Sequence, residues 1–250
     1  MVTPAPQPVS LFSTIAVKKA LAEGLCDAFT QTTGIAVEAV YEPTNALLDR
    51  IAAGARPDVV IGVTHQLPAL GQAGIVDLST CTPVARVRVG IATAGDVDVD
   101  ITTVESLITT LTAARSVAYS RAGASGLYFA GLLERLGIAG QVNARATVID
   151  TGFTAAAVID GRADIAVQLM SEHRCVAGAK IIGPLPDEVQ QITEFSAVLG
   201  EAAAARREPQ AFIEFLTSKQ AREAYNLTGM EAADTTPTYH HDRESKVHSK

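Results

Sequence analysis

The sequence predicts an α/β protein of two lobes, each built on a mostly parallel sheet, with a ligand cleft between them. Three observations carry this expectation. Short apolar runs alternate with segments of helical spacing along nearly the whole chain, the pattern of parallel strands covered on both faces. Each strand-like run hands over to a helix through small hydroxyl or amide residues. Two β-rich stretches, residues 86–91 and 190–196, are placed to carry the chain into a second lobe and back.

Composition agrees with a substantial core. The chain has 250 residues, of which 48% are apolar, but aromatics are 5% and Trp is absent, so Ala and Val must fill the interior. A net charge of −7 and the lack of a basic stripe with interleaved aromatics argue against nucleic acid. The same charge means that an anion would be held by local geometry and not drawn in by the whole protein. Cys26, Cys81 and Cys175 are far apart and odd in number, so neither a zinc site nor a disulfide framework is expected. Cys26 reads as a small apolar residue on the inner side of the first helix.

The elements follow in order. Residues 9–12 form a strand, and Leu21, Leu25 and Phe29 keep one face of a helix over residues 15–32, stopped by Gly34. Residues 36–41 form a second strand and 46–53 a second helix, closed by Gly54. A third strand covers 59–63 after Pro57, with a short helix near 67–73. The β-rich run 84–93 then crosses toward the second lobe.

That lobe repeats the grammar: helix 104–114, strand 117–119, helix 128–136, strand 146–149, helix 154–159 and strand 165–168. Residues 180–185 and 193–200 read as strands, the latter crossing back, and helices 209–216 and 219–225 finish the fold. The expected division is residues 9–87 plus 195–232 for one lobe and 88–194 for the other. Residues 233–250 read as a polar, disordered tail in which His240, His241 and His248 lie among charges; a metal site there is the less favoured alternative.

No basic start, apolar segment or cleavage site marks the amino terminus, where Met1 to Pro8 hold three prolines, and no stretch reads as a membrane span. A native Met1 would imply a cytoplasmic protein. A removed signal would imply a periplasmic or other extracytoplasmic one.

Candidate site residues lie where strands meet helices. Ser13, Thr14, Thr44, Asn45, Thr64, Ser120, Ser125, Thr154 and Gln168 sit at such junctions, where helix N–H groups can gather an anion. The hydroxyls have a second reading as plain helix caps. Gly126 would let backbone approach closely. Arg86 and Arg121 offer guanidinium forks for a carboxylate, Arg121 with an equal reading as a solvated turn charge. For proton transfer the candidates are His65, Tyr128 and Glu172, with the base itself unassigned; an exposed loop is the alternative for His65, and packing for Tyr128. No Ser-His-Asp, HExxH or phosphate-loop pattern occurs, and neither metal nor cofactor is expected.

Several motifs together resemble a known superfamily. They are Leu11-Phe12-Ser13-Thr14, Arg56-Pro57-Asp58-Val59-Val60-Ile61, Gly123-Ala124-Ser125-Gly126, residues 161–168, and Thr228-Gly229-Met230-Glu231. The chain resembles the type II periplasmic-binding-protein superfamily, and within it the molybdate-binding-protein-like group, from residue 9 to 232. The stretch 124–138 is nearest to the aconitate isomerase subgroup, since the molybdate binders carry a proline at this turn and this chain has none. The resemblance implies one of two functions. One is a cofactor-independent shift of a C=C bond in an aconitate-like polycarboxylate, trans to cis. The other is reception of a molybdate-like oxyanion or small carboxylate for an ABC importer, with a permease as partner only if the chain is exported.

Overall fold

The computed structural model describes residues 6–95 and 97–233. The expected tail beyond residue 233, with its three histidines, lies outside them. Among the described residues ten strands pair in the order β2-β1-β3-β9-β4-β7-β5-β6, with β8 and β10 added along β4. These are β1 Val9–Thr14, β2 Val37–Glu42, β3 Val59–Val63, β4 Val76–Ala94, β5 Val117–Ser120, β6 Thr147–Ile149, β7 Ile165–Leu169, β8 Ala179–Pro184, β9 Ile192–Gly200 and β10 Glu231–Ala232.

The architecture is that of two lobes sharing β4. In one, β1 runs parallel between β2 and β3. In the other, β5 runs parallel between β6 and β7. Antiparallel strands join them: β4 pairs with β9 over its first part and with β7 and β8 over residues 89–94. In each triplet the chain leaves the middle strand to one side and returns on the other. Each lobe therefore has a topological switch point, β1/β3 or β5/β7, the place where open α/β sheets bind ligands.

Matching aspartates fasten the far ends of both triplets. Asp58, just before β3, accepts from the Ser10 N–H at 2.9 Å and pairs with Arg206 at 2.7 Å. Asp164, just before β7, accepts from the Arg115 N–H at 2.7 Å. Each carboxylate ties the incoming strand to its neighbour, so the Pro57-Asp58 and Ala163-Asp164 motifs set register away from the cleft.

The first helix departs from the expectation of one α-helix. It starts at Lys18 and carries a π-helical segment, Leu21–Leu25, before resuming as Cys26–Thr33. Val17, Leu21, Leu25 and Phe29 recur every four residues, and all are at most 1% exposed. A regular helix of 3.6 residues per turn would drift such a row off the core; the wider π turn restores it. Cys26 is only half-buried, with its Sγ 3.8 Å from the Tyr41 hydroxyl.

β4 begins eight residues before the expected strand, at Val76. Pro83 cannot donate to the ladder, and the register with β9 shifts around it. The main core joins both lobes through Val87, Val89 and Ile91, which are at most 1% exposed.

Candidate ligand-binding cleft

A cleft of about 290 Å³ opens at the carboxyl ends of both parallel triplets. Thr14 ends β1, Ser120 ends β5, and Gln168 and Leu169 end β7; all four line it. Val63 enters from β3 and Gln66 from the 3₁₀ turn after it, and Asp150, Thr151 and Gly152 from the loop after β6.

Two helices begin at this cleft. The helix Thr44–Ala52 starts after Pro43, and Ala124–Arg135 starts after Gly123, neither with a side-chain cap. The first intrahelical bonds run from Leu47 to Pro43 and from Leu127 to Gly123. The N–H groups of Thr44, Asn45 and Ala46, and of Ala124, Ser125 and Gly126, are thus left without intrahelical acceptors. Lining residues from both helix starts converge here, so two positive dipole ends from different lobes meet at one cleft.

The hydroxyls of Thr14, Thr44 and Ser125 add donors. Gln66 Oε1, an acceptor, is buried without a hydrogen-bond partner among the described residues. Ile15, Leu127 and Phe195 contribute apolar wall. Among the described residues no lysine, arginine or histidine lines the cleft, whereas Asp49, Asp150 and Glu172 do.

Gln168 is fixed in orientation. Its Oε1 accepts from the Thr154 N–H at 2.7 Å and from the Thr154 hydroxyl at 3.1 Å. A backbone N–H can only donate, so the other end of the amide must be the NH₂, which lies 3.5 Å from Gly152 O. Glu172 is 6% exposed. Burial pushes its carboxyl up to about 7, against the downward pull of the Leu169 N–H and the Gln168 amide. Its neighbour His173 is fully buried, with Nε2 3.1 Å from Gly90 O, and burial pushes it down to about 4.

Of the residues singled out in the sequence, Thr14, Thr44, Asn45, Ser120, Ser125, Gln168 and Glu172 come together in the cleft. The others lie elsewhere, each for a visible reason. Ser13 is buried and bonds to the Thr14 carbonyl, and neither residue caps the first helix. Thr64 bonds to Ser196 at 2.8 Å, and Thr154 is buried behind Gln168. A Cβ on Gly126 would fall 1.9 Å from the Ser120 carbonyl oxygen. The close approach there is between helix and strand.

Arg86 lies on β4 with Glu231 at 3.8 Å, and Arg121 pairs with Asp150 beside the cleft. His65 is exposed on a 3₁₀ turn, and Tyr128 donates to the Val189 carbonyl at 2.6 Å. Asp49, Gln66, Asp150 and Phe195 are lining residues that the sequence did not single out. Only the first three carried a signal, being polar residues within a turn or two of a strand end.

A family model described as bacterial extracellular solute-binding protein matches residues 9–231. The chain belongs to this family. Among curated proteins it is similar to an aconitate isomerase from a Pseudomonas species, 28% identical over 217 residues, or 84% of this chain and 82% of that one. Among solved structures it is similar to the periplasmic molybdate-binding protein of Azotobacter vinelandii, with TM-score 0.75 and 18% identity over 90% of this chain and all of that one. The tungstate-binding protein TupA of Desulfovibrio alaskensis aligns with TM-score 0.65 and 13% identity over 92% of this chain and 99% of that one. At these identities the solved structures establish the shared two-lobed periplasmic-binding-protein fold. In this chain the cleft lies at the two switch points, β1/β3 and β5/β7. No helix among the described residues is long and apolar enough to cross a membrane.

Proposed function

We propose that this solute-binding protein is a receptor for a small carboxylate-bearing anion, held between the two helix starts. The carrying observation is the pair of uncapped N-termini, at Thr44 and Ala124, lining one cleft. Such ends stabilise negative charge without cationic side chains. The apolar wall of Ile15, Leu127 and Phe195 suits a carbon skeleton better than a bare tetrahedral oxyanion. On this reading residues 9–87 with 195–232 and residues 88–194 are the two jaws. Their closure is the signal that an ABC permease would read from an exported receptor.

Amide NMR tests the proposal. Titration with trans-aconitate should shift Thr44–Ala46 and Ala124–Gly126 together, at one stoichiometric site. Shifts confined to one helix, or none, would overturn it.

A second reading is an allylic proton shift on an aconitate-like polycarboxylate. Glu172 favours it, being a cleft carboxyl that titrates near neutrality, and so does the curated relative's activity. In its ionised form Glu172 would take a proton from the substrate carbon and return it at the other end of the allylic system. Incubation of the protein with trans-aconitate should then yield cis-aconitate without metal or organic cofactor, and Glu172→Gln should abolish turnover. Tight binding with no turnover leaves the receptor reading alone.

A further inference from the structure

We propose that Glu172 occupies the liganded cleft as the neutral acid, so that an anion bound above neutral pH brings one proton in with it. The inference rests on the receptor reading and deepens it by assigning the fourth kind of donor, a carboxylic O–H, alongside helix N–H groups, hydroxyls and amides.

The geometry leads there. A cleft that takes an anion and is lined by Asp49, Asp150 and Glu172, with no cationic side chain among the described residues, needs one of those charges removed or balanced. Asp150 has Arg121 as its partner, and the pair is largely exposed. Glu172 has neither a cation nor water to spare: it is 6% exposed and forms no ion pair among the described residues. An ionised Glu172 beside an anion would place two like charges in a site that lobe closure dries further, where their repulsion is least screened. The proton is available, because burial holds this carboxyl near neutrality even before a ligand arrives.

The surrounding groups leave Glu172 as the one that responds. Its short helix Met170–His173 packs on β4, β7 and β8. β7 carries no titratable side chain, nor does the stretch of β4 from 89 to 94 that faces it. Farther along β4, Arg86 and Arg88 lie against Glu231, and Arg88 also pairs with Asp187. β8 brings Lys180, paired with Asp98. His173, on the same helix, is held neutral by burial. Cys175, beyond it, feels Glu172, Glu23, Lys18 and Lys19, but burial raises its thiol and keeps it protonated in the same range. Across the cleft, Asp49 is the remaining carboxylate.

Isothermal titration calorimetry in buffers of different ionisation enthalpy tests this directly. The probes are trans-aconitate and sulfate: sulfate keeps its charge across the range, and the last carboxyl of trans-aconitate, which ionises within it, is titrated separately and its protons subtracted. At pH 8 the wild type should take up close to one proton per anion bound, and at pH 5.5 none. Affinity should fall about tenfold per pH unit above neutrality, as expected for one linked proton. Glu172→Gln, which keeps a neutral donor in place, should bind with no uptake and no slope; a thermal melt checks that it folds. Binding by the wild type with no uptake at pH 8 overturns the inference and leaves the receptor reading standing. No binding of either probe at either pH overturns both. Uptake would also make Glu172 a proton donor in the complex and not the base that the isomerase reading requires.

Discussion

Thr154 and Gln168 hold one another in a single orientation. The Thr154 N–H and hydroxyl both donate to Gln168 Oε1, at 2.7 and 3.1 Å, while Thr154 is fully buried. This clamp turns the amide NH₂ toward Gly152 and Glu172, where a donor is wanted. Thr154→Ala should cost about 1–2 kcal/mol of stability, the usual effect of stripping one partner from a buried hydrogen bond. Urea denaturation would show it as a lowered midpoint with unchanged slope. Anion affinity should fall as well, because Gln168 loses half of what fixes it.

Glu172 and His173 act on stability in opposite senses. Below about pH 4.5 Glu172 is protonated in both states. As pH rises from there toward 7 the unfolded chain ionises first, and stability falls. His173 stays neutral when folded down to about pH 4, so stability falls as pH drops from 6.5 toward 4. Each effect is on the order of 3 kcal/mol at full extent, and in the shared window they oppose each other. Relative to the wild type, Glu172→Gln should make stability rise more steeply from pH 4.5 to 6.5, and His173→Gln should make it fall there. Melting curves across that range check both signs. Parallel curves for all three proteins would contradict the assignment.

Gly126 is required by packing. A methyl placed 1.9 Å from the Ser120 carbonyl oxygen cannot be relieved by turning a side chain, because the obstacle is backbone. Gly126→Ala should cost about 3 kcal/mol. It should also push the start of the Ala124–Arg135 helix away from the cleft, reducing anion affinity in whatever protein still folds. Denaturation and a ligand titration on the same sample separate the two losses.

Arg121 should show the reverse pattern. It is largely exposed and pairs with Asp150, which lines the cleft. Arg121→Ala should leave the urea midpoint unchanged, since exposed ion pairs contribute little. Anion binding should weaken, because Asp150 would face the ligand unbalanced, and the deficit should shrink as salt is added. An equal loss at low and high salt would point to a direct contact instead.

Much of this architecture is legible in the sequence because strand ends announce themselves. An apolar run followed by Thr14, Ser120 or Gln168 marks both a strand terminus and a lining residue, and the two coincide at a switch point. The partners of the arginines are not legible. Asp150 and Glu231 lie 29 and 145 residues from Arg121 and Arg86, and only the fold brings them close. Phe195 reaches the cleft through an antiparallel pairing of β9 with β3, a long-range contact without local signal. The first half of β4 is masked by Pro83 and by the register shifts around it. Glu172 was visible as an acid a few residues past a strand, but its raised pKa comes from burial that spacing does not reveal.

Competitive isothermal titration of the wild type and Ser125→Asp with trans-aconitate, citrate, molybdate and sulfate tests the central claim most directly. Ser125 stands in the first turn of the helix starting at Ala124, so an added carboxylate there opposes any anion held by that end. The account predicts one site per chain, a carboxylate bound more tightly than molybdate or sulfate, and loss of that binding in a folded Ser125→Asp protein. A wide preference for molybdate, or carboxylate binding that the substitution leaves untouched, would contradict it.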